Sequence, residues 1–323
     1  MKNRSAELAV TVSILLLFAI LAKAAPGYFS NANLRDLFLA NLPVLLIALG
    51  MTLVILTGEI DISVGSIFAV ASVAMGLFTN IGIPVLAAAV LTCLFAAAMG
   101  ALNGALVSYL RIPSIVVTLA AMIALRDSLR WATGGAWVTD LPTRFQWLGL
   151  SQSAYLLMMA ILAFLLVGAF AISLRNTAAG RLIYATGSNL EAARLNSINT
   201  KNVKLSAFTL LGAMTGLAAA LNAVRFNQIP SNAGLGLEMK VIAAVVVGGT
   251  AIRGGRGSVA GTVLGVILLG AMGPALTFLG VSAYWEKALQ GSIILAAISL
   301  EVVRRVLERR LLEKKTGAEY APG

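Results

Sequence analysis

The chain has 323 residues, of which 59% are hydrophobic and 11% charged, with a formal net charge of +11. Soluble domains run at about 45–50% apolar and about 25% charged, so a mean hydropathy of +0.92 excludes a water-soluble globule. His is absent and Cys93 is the single cysteine, which removes histidine acid–base and metal chemistry and any intrachain disulfide. What remains is an integral membrane protein that moves something.

A bilayer core about 30 Å thick takes about 20 apolar residues per helix. Ten apolar runs meet or approach that length: 8–22, 37–57, 62–79, 84–109, 114–125, 154–174, 205–224, 239–252, 258–279 and 285–303. Strand alternation is missing, so the expectation is an all-α integral membrane protein with about ten transmembrane helices. Two runs are irregular. The fifth reaches full length only by taking in Arg126, Asp127 and Arg130, and 239–252 is short. Such segments line cavities more often than they face lipid. The first run follows Lys2 and Arg4 like a signal peptide but has no convincing cleavage site before Pro26, and it reads as a retained anchor.

Of the 24 Lys and Arg, sixteen fall on the side of the N-terminus and eight on the other, which places both termini in the cytoplasm. Trp131, Trp137 and Trp147 fall in the loop before the sixth span, as interfacial aromatics of the outer side. The basic tail, 304–323, directly follows the last span, so its charge reads as orientation and contact with anionic lipid and not as nucleic-acid binding.

Three loops carry chemistry. The longest, 175–204, contains GSNLEAAR from Gly187 to Arg194. Ser188 or Asn189 can cap a short helix with Glu191 in its first turn, and Leu190, Ala193 and Leu195 supply an apolar side before Asn196–Asn199 end it. It suits docking of a soluble partner; a plain linker is the bland alternative. The second is GEIDISVGS, where Glu59 and Asp61 sit between apolar runs. They can couple to ions, close a gate, or cap the next helix through Asp61. The third, GGTAIRGGRGS from Gly248 to Ser258, lacks the lysine of a phosphate loop and serves turn and packing instead.

The second and third loops resemble each other. With one inserted residue Ser66 matches Ser258, which points to a parallel internal repeat, and chance similarity of Gly-rich turns is the rival. A repeat would let Glu59 and Asp61 pair with Arg253 and Arg256 as a cytoplasmic gate. GxxxG spacings at Gly100/Gly104 and Gly257/Gly261/Gly265 allow close helix packing.

Three ordered blocks resemble the ribose-type binding-protein-dependent sugar permeases: GEIDISVGS, NGALVSYLRIPSIVVTLAAM from Asn103 to Met122, and VIAAVVVGGTAIRGGRGSVAGTVLG from Val241 to Gly265. The departure is Glu59, where that family commonly has Gly. The resemblance implies one permease domain, 1–323, of a bacterial inner-membrane ABC importer with a bundle similar to type II importers of the vitamin B12 kind. It implies two permeases, identical or homologous, two cytoplasmic ATPase subunits that hold the ATP and Mg, and a periplasmic solute-binding protein. This chain then needs no cofactor and is no enzyme. Gly187, Ser188, Asn189, Glu191, Ala192, Ala193 and Arg194 would form the ATPase-coupling segment. Alternating access would pass a monosaccharide or related small polyol or signal molecule, and Asn41, Asn103, Thr118 and Asn222 are pathway residues or simply glue between helices. ALRDSLRWATGGAWV is similar to the rhamnose or autoinducer-2-like branches. Arg126, Asp127 and Arg130 compensate one another or meet the binding protein. The rival class is a secondary transporter coupled to protons or cations through Glu59 or Asp61. A channel or a membrane enzyme has less behind it.

Overall fold

The computed structural model describes residues 4–282, 284–292, 295–296 and 299. Lys2, the basic tail and much of the run 285–303 lie outside them. Eleven α-helices are bounded within that range: α1 Arg4–Ala24, α2 Asn31–Leu56, α3 Val64–Asn80, α4 Val85–Ser108, α5 Ser114–Thr133, α6 Gln152–Asn176, α7 Ala178–Ser188, α8 Leu190–Leu195, α9 Thr200–Ala223, α10 Leu237–Val247 and α11 Val259–Phe278. Residues 285–292 are helical as well. Among the described residues the only β pairing is a single bridge between Val138 and Ile229. Six helices (α1, α2, α4, α6, α9 and α11) are long and apolar enough to cross a membrane on length and composition, and α3 is a shorter apolar helix.

Local chemistry sets the helix starts. Side chains of Ser30, Ser151, Thr177, Asn189, Asn199 and Ser258 accept a hydrogen bond from the first turn of α2, α6, α7, α8, α9 and α11, which satisfies donors that have no intrahelical partner. Glycine sets several ends. Gly58 (φ +85°) follows α2 and Gly249 (φ +93°) follows α10. In both, the next residue's N–H reaches back five residues: Glu59 to Val54 O at 3.2 Å and Thr250 to Val245 O at 3.2 Å. The two turns that look alike in sequence therefore end their helices with the same bonds.

Two corrections concern the spans. Run 239–252 is a helix only from Leu237 to Val247; at 1.5 Å per residue it is about 16 Å long and cannot cross a bilayer. The glycines at 248 and 249 stop it, and the chain entering it from α9 is non-helical from Phe226 to Gly236. The second correction is α7, an eleven-residue helix inside the 175–204 loop that the sequence reading passes over.

Burial sorts the helices into an interior and a rim. Most of α2 is buried, as is over half of α9 and of α11, whereas α1, α4 and α6 turn most of their surface outward. Exposed Leu86, Leu94, Phe164 and Leu165 meet lipid there. α9 packs on α2, α3 and α4. Its closest neighbour is α4, where glycine faces glycine: a Cβ on Gly100 would stand 3.0 Å from the Gly212 Cα, and one on Gly216 2.8 Å from the Cys93 Cα. Gly100 and Gly104 thus pack closely as their spacing indicates, Gly100 on Gly212 and Gly104 on Leu205 and Phe208. A second GxxxG on α9, Gly212 and Gly216, which the sequence reading missed, packs on the stretch from Thr92 to Ala97. The Thr52 and Thr262 hydroxyls hydrogen-bond at 2.7 Å between α2 and α11, a polar contact of the kind that joins helices where the hydrophobic drive is weak.

Gly212→Leu would push its side chain into the backbone of Ala96 and Ala97, and overpacking of this kind costs about 1–3 kcal/mol or more. The expected result is a lower thermal midpoint in fluorescence-detected gel filtration. Gly168→Leu, which meets open space, should leave the midpoint in place. Equal midpoints would mean that the α4–α9 contact does not hold the bundle together.

Candidate functional site

The three loops singled out by their chemistry converge at one end of the bundle, and backbone makes the contact. Gly255 N–H donates to Leu56 O at 2.9 Å, tying the second glycine turn to the end of α2. A Cβ on Gly254 would lie 2.7 Å from Gly58 N, and one on Gly255 2.7 Å from the Ser188 Cα. A Cβ on Gly187 would overlap the Leu56 carbonyl oxygen and stand 2.7 Å from Gly255 N. Tyr184 of α7 adds a hydrogen bond from its hydroxyl to Gly257 O at 2.8 Å. Without side chains at these four glycines, the turns after α2, α7 and α10 interlock.

From this junction α8 stands outward. Asn189 Oδ1 accepts from Ala192 N at 3.0 Å as the cap, and Glu191 occupies the first turn. Ala193 is buried, while Glu191, Ala192 and Arg194 are exposed. Leu195, expected on the inner apolar side, is instead 87% exposed: at about 100° per residue it lies on the helix face opposite Ala193, which takes the inward position. Gly187 and Ser188 belong to the last turn of α7.

The turn after α2 corrects the expected gate. Glu59 pairs with Lys204 in the first turns of α9, and the two side chains are 15% and 14% exposed. Arg253 and Arg256 are exposed and make no ion pair among the described residues. Backbone contact between Gly58 and Gly254 fills the space where the four side chains would have met. Asp61 is fully buried, accepting from Ser63 N at 2.8 Å and from Ser63 Oγ at 2.6 Å. Ser63, the residue before Val64, is already helical in backbone and makes no capping bond of its own. The bond from Ser63 N to Asp61 Oδ1 makes Asp61 the side chain that satisfies the start of α3, one of the roles its position in sequence offers. Asn103 Nδ2 donates to the same Ser63 Oγ at 2.9 Å.

That bond ties Asn103 of α4 to the turn before α3. Thr118 donates back to Ser114 O at 2.8 Å within α5, and Asn41 donates to Leu37 O at 2.8 Å and Gly270 O at 3.4 Å. Asn103 and Asn41 thus join separate elements, whereas the Thr118 bond stays within its own helix. Asn222 alone lines a cavity, one of about 270 Å³ at the opposite end of the bundle. Arg130 and Asp127 stand 4.0 Å apart on the exposed face of α5, and Arg126 donates to Ala233 O at 2.9 Å instead. Lys204 and Glu238 are the charged residues the sequence reading missed. Glu238 sets its carboxylate against the backbone of Gly65 at the start of α3. No spacing marks either one, because each meets its neighbour only through the fold.

Residues 33–298 match the family described as the branched-chain amino acid transport system / permease component. The autoinducer 2 import system permease protein LsrC of Photorhabdus laumondii is 35% identical over 96% of this chain and 93% of its own. The protein of the same name from Escherichia coli is 36% identical over 98% and 93%, and that of Yersinia enterocolitica 37% over 94% and 85%. No solved structure matches. The chain belongs to this family of permease components. It is a multi-pass membrane permease subunit of an ABC importer and not an enzyme, which sets aside the ion-coupled transporter.

Breaking a buried ion pair by removing one partner costs about 3–5 kcal/mol, and Glu59–Lys204 is only slightly more exposed than that case. Glu59→Lys and Lys204→Glu should each cut solute uptake by about tenfold or more, and the double exchange should recover most of it. A double variant as poor as either single one, at equal membrane abundance, would show that the pair has no role beyond its position.

Proposed function

We propose that this permease, paired with an identical or homologous copy, imports a small polyhydroxylated solute through the bacterial inner membrane. ATP and Mg would be held by two cytoplasmic ATPase subunits, and a periplasmic binding protein would deliver the solute. In this reading the α8 end faces the cytoplasm, as the sixteen-to-eight division of basic residues along the sequence favours. The relatives named for autoinducer 2 import support a small signal molecule or monosaccharide as cargo.

The observation that carries the reading is the seating of α8. Glu191, Ala192, Arg194 and Leu195 are exposed on a short capped helix. Directly beneath it, Gly187 and Ser188 are locked to the turns after α2 and α10. An ATPase groove that closes on α8 therefore pushes on two other hairpins through backbone contacts with no slack. Lys204 follows α8 by a few residues and holds Glu59, a second link to the α2–α3 turn. The bundle then passes between its two open states as packed helices shift against one another.

Leu195→Glu tests this directly, because the side chain is exposed and its replacement leaves the fold intact. A tagged wild-type chain purified from native membranes should retain an ATPase near one to one. The variant should lose most of that partner and most ATP-driven uptake while keeping its own abundance. An undiminished partner yield and uptake would remove α8 as the docking element.

A further inference from the structure

The cavity at the end opposite α8 lies away from the junction of the three turns, and its lining is chemically distinctive. It holds about 270 Å³ between α3, the end of α9 and the non-helical segment that follows. That is below the roughly 300–1,000 Å³ of sites for drug-sized ligands, and suits a molecule of five or six carbons. Trp137 and Phe226 offer aromatic faces, Asn227 and Gln228 offer amides with a donor and an acceptor each, and Asn222 adds the amide whose oxygen also accepts from Arg225. Ser72 of α3 lines the cavity while only 1% exposed, and its hydroxyl has no hydrogen-bond partner among the described residues. Buried hydroxyls are ordinarily bonded, and this one stands at the cavity wall without a protein partner among the described residues.

No acidic or basic side chain lines the cavity. Two cations stand behind the lining and are spent on it: Arg225 donates to Leu39 O at 2.8 Å and to Asn222 Oδ1 at 3.3 Å, and Arg126 donates to Ala233 O at 2.9 Å. A charged solute would lose its water here with no ionised group on the lining to pair with directly, which is costly. The frame is held in place. Val138 and Ile229 exchange backbone bonds at 2.9 and 3.0 Å, and Ser231 Oγ donates to Gly135 O at 3.0 Å. Trp137, between these two anchors, is held at the cavity by a stitched loop.

We propose that this cavity is a receiving site for a neutral, polyhydroxylated solute within the permease itself, with Trp137 and Phe226 against its C–H faces and Ser72 and the amides on its hydroxyls. The assignment rests on the importer reading for its place in transport, while its chemistry rests on the lining alone. It excludes a zwitterion such as the branched-chain amino acid in the family's description.

The test is saturation-transfer NMR on the full-length chain in lipid nanodiscs, with D-ribose, ribitol and L-leucine as probes. Ribose and ribitol should show transfer and leucine none. Ser72→Val, which leaves a solute hydroxyl unpaired, and Trp137→Ala should each weaken ribose binding by about tenfold; Gln228→Ala, on an exposed position, guards against a variant that fails to fold. Transfer to leucine equal to ribose, or ribose transfer untouched by all three variants, overturns the proposal. ATP-driven uptake measured alongside separates the two readings. Uptake that needs ATP while ribose transfer is missing leaves the importer and sinks the cavity. Ribose transfer that depends on Ser72 and Trp137, in a chain that retains no ATPase, upholds the cavity and sinks the proposed coupling.

Discussion

The structure depends on one hydrogen bond, from Gly255 N to the carbonyl of Leu56. Leu56 is the last residue of α2, the most buried long helix, and the final carbonyls of a helix have no partner within it. At a membrane-protein interior no water replaces the missing donor, and an unsatisfied carbonyl costs several kcal/mol. The second glycine turn supplies that donor, so its position is dictated by the end of α2. Only a chain without a side chain at 187, 254 and 255 can come this close. The need to satisfy one carbonyl thus places α7, α8 and the α10–α11 hairpin together.

Charge is handled by the same economy. Glu59 and Asp61 are two residues apart but meet opposite solutions. Glu59 reaches a cation on another helix, whereas Asp61 is held within its own turn by two donors from Ser63. A long-range ion pair between elements has two definite arrangements, made and broken, and so suits an element that shifts. A local cluster of Asp61, Ser63 and Asn103 has no such alternative without unfolding the start of α3. Glu59, the position at which this chain departs from the resembling permeases, carries the movable link, and Asp61 the fixed one.

What was legible in sequence follows how local its cause is. The short helix at Leu190–Leu195 announces itself through Asn189, whose cap bond spans three residues, and the apolar runs announce the spans because the bilayer imposes a length. Gly100 and Gly104 were visible as a motif on α4, but Gly212 and Gly216, which meet the same helix from the other side of the contact, acquire meaning only when α9 lies against it. The gate was misread for a related reason. Opposite charges on two similar turns look complementary on paper, yet the glycines that make the turns similar also bring their backbones into contact and leave the arginines outside. The arrest of α10 at Val247 was half legible: the run was visibly short, but that the preceding segment would wall a cavity required the bridge between Val138 and Ile229.

The two ends of the molecule share two elements, α3 and α9. α3 begins at Ser63, held by Asp61, and passes Ser72 at the cavity. α9 begins beside Lys204 and ends with Asn222 and Ala223 at the same cavity. The residues from Lys204 to Asn222, at 1.5 Å each, span roughly 27 Å of unbroken helix. A helix gripped by glycine contacts along its middle moves as a rod and does not bend to absorb a push. Rotation or sliding of α9 on α4 at the Lys204 end therefore reappears at Asn222, while α3, pinned by a local cluster, keeps Ser72 in place. In the proposed transport cycle the cavity walls on α3 and α9 would separate or close by the relative motion of one fixed and one driven helix. That is the geometry a permease needs if an ATPase at one end is to release a solute held at the other.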